Sequence, residues 1–94
     1  MPDNQQQLHA IVHGRVQGVS FRYYTHEAAV RQRVTGWVRN LPDGTVEVTA
    51  EGSRSQLDEL LAFLQRGPSG AYVTQVDVQW RRATGQFKEF RITY

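Results

Sequence analysis

Apolar and polar positions alternate early in the chain. Leu8, Ala10 and Val12 interleave with His9, Ile11 and His13, which predicts a short strand over residues 8–13 with the first set on one face. Residues 14–19 read as a loop with glycines at 14 and 18, and Ser20 is placed to be the N-cap of a helix. Phe21, Tyr24, Thr25 and Ala28 then recur at helical spacing, so the helix is expected to run to about Arg33. A second strand is predicted over residues 35–41. Pro42-Asp43-Gly44 is a hairpin turn signal, and residues 45–51 form a third strand with Val46, Val48 and Ala50 opposite Thr45, Glu47, Thr49 and Glu51. Ser53 followed three residues later by Gln56 is a capping box. It opens a helix striped by Leu57, Leu60, Leu61 and Leu64, which Gly67 and Pro68 stop. Strands over residues 72–80 and 87–94 complete the pattern. Residues 1–7 are polar and read as a disordered tail, leaving 8–94 as a single domain.

The order is β-α-β-β-α-β plus a short terminal strand. Each helix joins two strands by a crossover, and such crossovers are right-handed. The expected class is α+β, a ferredoxin-like sandwich with a mostly antiparallel sheet and both helices on one face. That plan serves many unrelated activities, so function has to be read from particular residues.

Composition narrows the choices. Ninety-four residues make one domain, and with 39% apolar residues it can hold a core without staples. No apolar run approaches the ~20 residues of a bilayer span, and residues 1–7 carry no apolar signal segment. With no cysteine there is no disulfide, thiolate nucleophile or thiolate metal ligand, and a cytoplasmic location is the simplest reading. Eleven basic and nine acidic residues are scattered without a block of like charge, so neither a nucleic-acid nor a membrane partner is expected. Aromatics on a ferredoxin-like sheet also suit RNA recognition, but the RNP1 pattern of that module is absent. His9 and His13, four apart in a strand, lie roughly 13 Å from each other and cannot share an ion. No metal site and no cofactor are expected.

The informative stretch is Gly14-Arg15-Val16-Gln17-Gly18-Val19-Ser20-Phe21-Arg22. A strand ends, a glycine-bearing loop follows, and a helix begins. The N-terminus of a helix offers unpaired N–H groups and about half a positive charge. Glycines let successive amides turn toward an oxyanion, and Arg22 in the first turn can reach it with two parallel hydrogen bonds. Val16 to Arg22 matches the C-x5-R spacing of thiol-dependent phosphatases with valine where the nucleophile would stand, so an attacking group would come from solvent. The competing reading is an ordinary strand-to-helix turn with a solvated arginine. In Gly36-Trp37-Val38-Arg39-Asn40, Asn40 shares a face with Val38 just before the turn. It either does chemistry or caps the turn through its own backbone.

Together these two stretches, the second continuing through Leu41-Pro42-Asp43-Gly44-Thr45-Val46-Glu47, resemble the acylphosphatase family over about residues 8–94. Gly67-Pro68-Ser69-Gly70-Ala71 and Phe90-Arg91-Ile92-Thr93-Tyr94 are similar to that family as well. The resemblance implies a metal-free hydrolase of the carboxyl–phosphate anhydride, in which water attacks in line and carboxylate and inorganic phosphate leave. Phosphate would be both product and inhibitor, and the enzyme would be a monomer. It implies Arg22 as the phosphate-binding arginine, Asn40 as the water-positioning asparagine, and the main-chain N–H groups of Arg15, Val16, Gln17, Gly18 and Val19 as the phosphate cradle. The sequence departs from the family pattern at Arg31-Gln32-Arg33-Val34-Thr35, where a small residue, a hydrophobic one and glycine are usual before Gly-Trp. A second possibility is a non-catalytic phosphate-binding module on the same fold.

The chemistry is consistent with that implication. A carboxylate leaving group needs little protonation, so a general acid can be dispensed with, whereas an alkyl phosphate monoester would require one. Asn40 cannot act as a base at neutral pH but can aim a water through hydrogen bonds.

Overall fold

The computed structural model describes residues 5–94. The elements are β1 (Gln5–Arg15), α1 (Phe21–Arg31), β2 (Thr35–Asn40), β3 (Val46–Ser53), α2 (Arg54–Arg66), β4 (Tyr72–Arg82) and β5 (Phe90–Ile92). One sheet holds all five strands in the order β4-β1-β3-β2-β5. Every pairing is antiparallel except that of β2 with β5. The fold is α+β and ferredoxin-like. Leu8, Ala10, Val12, Val38, Val46, Val48 and Ala50 on one sheet face form a single core with Phe21, Ala28 and Ala29 of α1 and Leu57, Leu60 and Leu64 of α2. The period-two alternation read from β1 and β3 therefore marks the face that meets the helices, while on the opposite face the polar residues Gln7, Thr45, Thr49 and Glu51 are buried as well.

β1 is longer than the alternation suggested, at both ends. It starts at Gln5, so residues 5–7 are sheet rather than tail; residues 1–4 lie outside the described residues. Gln7 is buried, and its amide donates to Glu51 Oε2 at 2.7 Å. The Thr84 and Gly85 main-chain N–H groups and the Thr84 hydroxyl donate to the same carboxylate, tying the β4–β5 connection to the sheet. Burial alone would raise the Glu51 pKa, but these hydrogen bonds outweigh it and hold the carboxyl below its ordinary value. At the other end a register shift between His13 and Gly14 carries β1 on to Arg15. Gly14 is at φ 122°, and a side chain there would overlap the Tyr72 carbonyl, so this kink requires glycine.

The helix ends differ in how their backbone groups are satisfied. Ser53 and Gln56 form the full capping box of α2, the Ser53 hydroxyl accepting from Gln56 N and the Gln56 side chain from Ser53 N. Ser20 precedes α1 but does not cap it. It lies in the left-handed region (φ 61°, ψ 27°), and its side chain accepts no helix N–H. The buried face of α1 is Phe21, Thr25, Ala28 and Ala29; Tyr24, expected on that face, is 44% exposed and stands edge-on to Tyr23. Small residues at 28 and 29 bring the helix close to the sheet, leaving the bulkier neighbours outside.

α1 stops at Arg31, two residues earlier than its spacing suggested. The Arg33 N–H bonds to the Val30 carbonyl and the Val34 N–H to that of Ala29, the paired reverse bonds of a Schellman ending. That ending places Arg33 at φ 61°, in the slot glycine prefers. This is the physical meaning of the departure at residues 31–35. Arg33→Gly is expected to stabilise the protein by about 1 kcal/mol, read as a higher urea midpoint with unchanged slope. A lower midpoint would show that the exposed arginine contributes more than its backbone strain costs.

Candidate active site at the first crossover

Strand directions gather the candidate residues at one end of the sheet. β1 and β2 each run antiparallel to β3, and β5 runs parallel to β2. The C-terminal ends of β1, β2 and β5 therefore point the same way. They deliver the loop after β1, Asn40 at the end of β2, and the segment after β5. Val38 pairs with Ile92, and Thr93 N donates to the Val38 carbonyl at 2.8 Å, which sets Tyr94 beside the end of β2.

These segments enclose a pocket of about 380 Å³ lined by Val16, Gly18, Ser20, Phe21, Arg22, Tyr23, Asn40, Ile92 and Tyr94. Arg22 and Asn40, eighteen positions apart in the chain, share its wall. The loop is anchored by its apolar side chains: Val16 is fully buried, and Val19 packs against the core. Among the described residues, the main-chain N–H groups of Val16, Gln17, Gly18, Val19 and Ser20 have no hydrogen-bond acceptor. Gly18 and Ser20 both have positive φ, a backbone that turns successive amides toward one side. Arg15 still belongs to β1, opposite Tyr72; Val16 and Gly18 reach the pocket wall, and Arg15, Gln17 and Val19 are not among its lining residues.

The electrostatics at this end are one-sided. α1 has no side-chain cap and no acidic residue in its first turn, and Arg22 stands in that turn. A cation at the positive end of a helix is unfavourable unless an anion joins it. Among the described residues no carboxylate pairs with Arg22, in contrast to Arg39, Arg54 and Arg91. Its guanidinium instead lies over the Tyr94 ring, 4.9 Å from the centroid.

Asn40 does not cap the turn. Leu41 N donates to the Thr45 carbonyl at 2.9 Å and Gly44 N to the Leu41 carbonyl at 3.1 Å. Asp43 Oδ1 accepts from Thr45 N at 3.0 Å and from its hydroxyl at 2.6 Å. With the turn closed by these groups, Asn40 Oδ1 is buried and has no hydrogen-bond partner among the described residues.

The carboxylates nearest in sequence are engaged elsewhere. The Thr45 hydroxyl and N–H hold the Asp43 carboxyl below its ordinary pKa. Glu47 is raised by burial, but His9 and Arg39, each at 2.8 Å, bring it below its ordinary value. Both are ionised at neutral pH, and neither lines the pocket. His13 pairs with Asp77 at 2.8 Å, and among the described residues no three side chains gather as a metal site.

Three side chains at this end escaped the sequence reading. Ile92 and Tyr94 reach the pocket because β5 pairs in parallel with β2, which period-two alternation cannot reveal. The side chain of Gln17 works apart from its backbone: Nε2 donates to the carbonyls of Leu41 and Thr45, both at 2.8 Å.

The domain is a ferredoxin-like α+β sandwich whose pocket joins an uncapped helix terminus to an arginine that, among the described residues, has no carboxylate partner. Comparison with known proteins gives its family. Residues 8–92 match the Acylphosphatase family. The chain is 49% identical over 85 residues to an acylphosphatase from Methylococcus capsulatus, covering 90% of this chain and 92% of that one. It is 47% identical over 87 residues to one from Syntrophus aciditrophicus, covering 93% and 91%. The crystal structure of acylphosphatase from Bacillus subtilis superposes with a TM-score of 0.91 at 37% identity, covering 95% of this chain and 99% of that one. The chain belongs to the acylphosphatase family. It is a hydrolase that acts on acyl phosphates, the catalytic reading rather than the binding-module one.

Proposed function

We propose that Arg22 and the main-chain N–H groups of residues 15–19, with the open end of α1, hold the phosphoryl group while Asn40 orients the attacking water. The observation that carries this is the meeting, in one pocket, of a guanidinium and a carboxamide that stand apart among the described residues: no carboxylate pairs with Arg22, and the buried Asn40 Oδ1 has no hydrogen-bond partner. The Asn40 carboxamide, at the pocket wall, orients the water by hydrogen bonding so that a water lone pair is aimed at phosphorus, in line with the departing carboxylate oxygen. The P–O bond to the acyl group breaks as the P–O bond to water forms. The water's proton passes to a phosphoryl oxygen, because the amide cannot take it and Asp43 and Glu47 lie outside the pocket. Rate enhancement then comes from positioning and charge stabilisation. No metal takes part, inorganic phosphate inhibits as the product, and a monomer is the working unit.

The test is hydrolysis of benzoyl phosphate, followed by loss of ultraviolet absorbance, in excess chelator. Turnover is expected to be unchanged by the chelator, with an alkyl phosphate monoester cleaved far more slowly because its alkoxide has no acid to protonate it. Loss of turnover on chelation, or comparable rates on the two substrates, would overturn this mechanism.

A further inference from the structure

Gln17 joins two halves of the site that sequence separates. Its Nε2 carries two hydrogens, and both are used, one on the Leu41 carbonyl and one on the Thr45 carbonyl at 2.8 Å each. Those carbonyls close the β2–β3 turn. The Leu41 carbonyl also accepts from Gly44 N and that of Thr45 from Leu41 N, so the Gln17 amide occupies the second acceptor position of each. Among the described residues, these are the only hydrogen bonds between the loop after β1 and this hairpin. Val16 and Val19 fasten the loop to the core, which includes Val38, Val46 and Val48 of the hairpin's strands, by apolar packing alone. Asn40 is bonded covalently to Leu41, one of the two residues that Gln17 holds.

We infer that Gln17 is a positioning residue that sets the distance between the bound phosphoryl group and the Asn40 carboxamide, an inference that rests on the role proposed for Asn40. The loop carries the amides that face the phosphoryl group, and the hairpin carries the amide that faces the water. In-line attack depends on the separation of the two. Misplacement of a reacting group by about 1 Å costs on the order of 10² in rate. The geometry also requires a donor specifically. Methionine fills similar space but leaves two carbonyls with an unused acceptor, while glutamate would set a carboxylate against them and push the loop away. Phosphate itself is held by the loop and Arg22, so its affinity does not depend on where the hairpin sits.

The experiment compares kcat and the inhibition constant for inorganic phosphate in Gln17→Met, Gln17→Glu, Asn40→Ala and the double variant Gln17→Met/Asn40→Ala. Gln17→Met is expected to lower kcat by about ten- to a hundredfold, and Gln17→Glu by more, with phosphate inhibition nearly unchanged in Gln17→Met. In the Asn40→Ala background the methionine substitution should change kcat by less than about twofold, the limit of ordinary additivity. A residue that merely stabilises the loop would give the same factor in both backgrounds. That result, a native kcat in Gln17→Met, or a parallel loss of phosphate affinity would overturn the inference. Should Gln17→Met not fold, Gln17→Asn keeps the donors, shortens their reach by one methylene, and reads the same coupling. A native kcat in Asn40→Ala would instead overturn the reading of the site itself.

Discussion

Arg22→Ala is expected to lower kcat/KM for an acyl phosphate by about 10²–10³ or more, the usual cost of removing a preorganised charge-stabilising donor. Phosphate inhibition should weaken in the same variant. A guanidinium on the phosphoryl oxygens contacts the substrate, the transition state and the product alike, so the loss appears in both binding and turnover. Arg22→Lys should recover only part of the activity, since an ammonium keeps the charge but not the two parallel donors. The ligand-free protein should behave in the opposite sense. Arg22 has no carboxylate partner among the described residues and stands at the positive end of an uncapped helix. Removing it should leave the melting temperature unchanged or raise it, by an amount corresponding to about 0.3–1 kcal/mol. Added phosphate should stabilise the native protein and lose much of that effect in the variant. A variant that melts lower without ligand yet keeps its turnover would make Arg22 a structural residue and remove the centre of the proposed site.

Which of these properties sequence reveals depends on how local their causes are. The alternation in β1 and β3 and the Ser53–Gln56 box on α2 are fixed by neighbours within a few residues, and they appear where the sequence places them. The boundaries that moved are set from a distance. Gln5–Gln7 join the sheet because β3 and β4 are there to pair with and Glu51 accepts the Gln7 amide. Tyr24 fits the helical stripe as well as Thr25 does, but the sheet covers only the narrow face that includes Thr25 and the two alanines. The meeting of the loop and Arg22 at one pocket was legible because a glycine-bearing turn leads straight into the helix whose first turn holds Arg22. Asn40 was ambiguous because turn capping and catalysis call for the same residue type. Only the bonds made by Asp43, Thr45 and Leu41 remove the first reading. Tyr94 and the Gln17 side chain lay beyond reach. Each acts across a pairing of segments that local pattern does not encode.

Asn40→Ala is expected to separate catalysis from binding. With Arg22 and the loop intact, phosphate inhibition should stay close to native, while kcat falls by about 10²–10³ as for loss of a single oriented hydrogen-bonding group. The loss falls on kcat because the water is ordered only for attack and adds nothing to the affinity for product. Stability should respond in a way that a structural asparagine would not. Among the described residues the buried Oδ1 has no hydrogen-bond partner, a condition that costs about 1–3 kcal/mol. Alanine removes that oxygen, so the variant should melt no lower than the native protein and is expected to melt higher. Activity lost together with stability gained is the pattern of a group retained for its chemistry at the expense of the fold. Asn40→Asp is the complementary test. It keeps the shape but places an acceptor-only carboxylate beside a phosphoryl dianion, so phosphate affinity should fall along with kcat. If Asn40→Ala melts several degrees lower and hydrolyses benzoyl phosphate at the native rate, the carboxamide serves the hairpin, and the water must be oriented by another group.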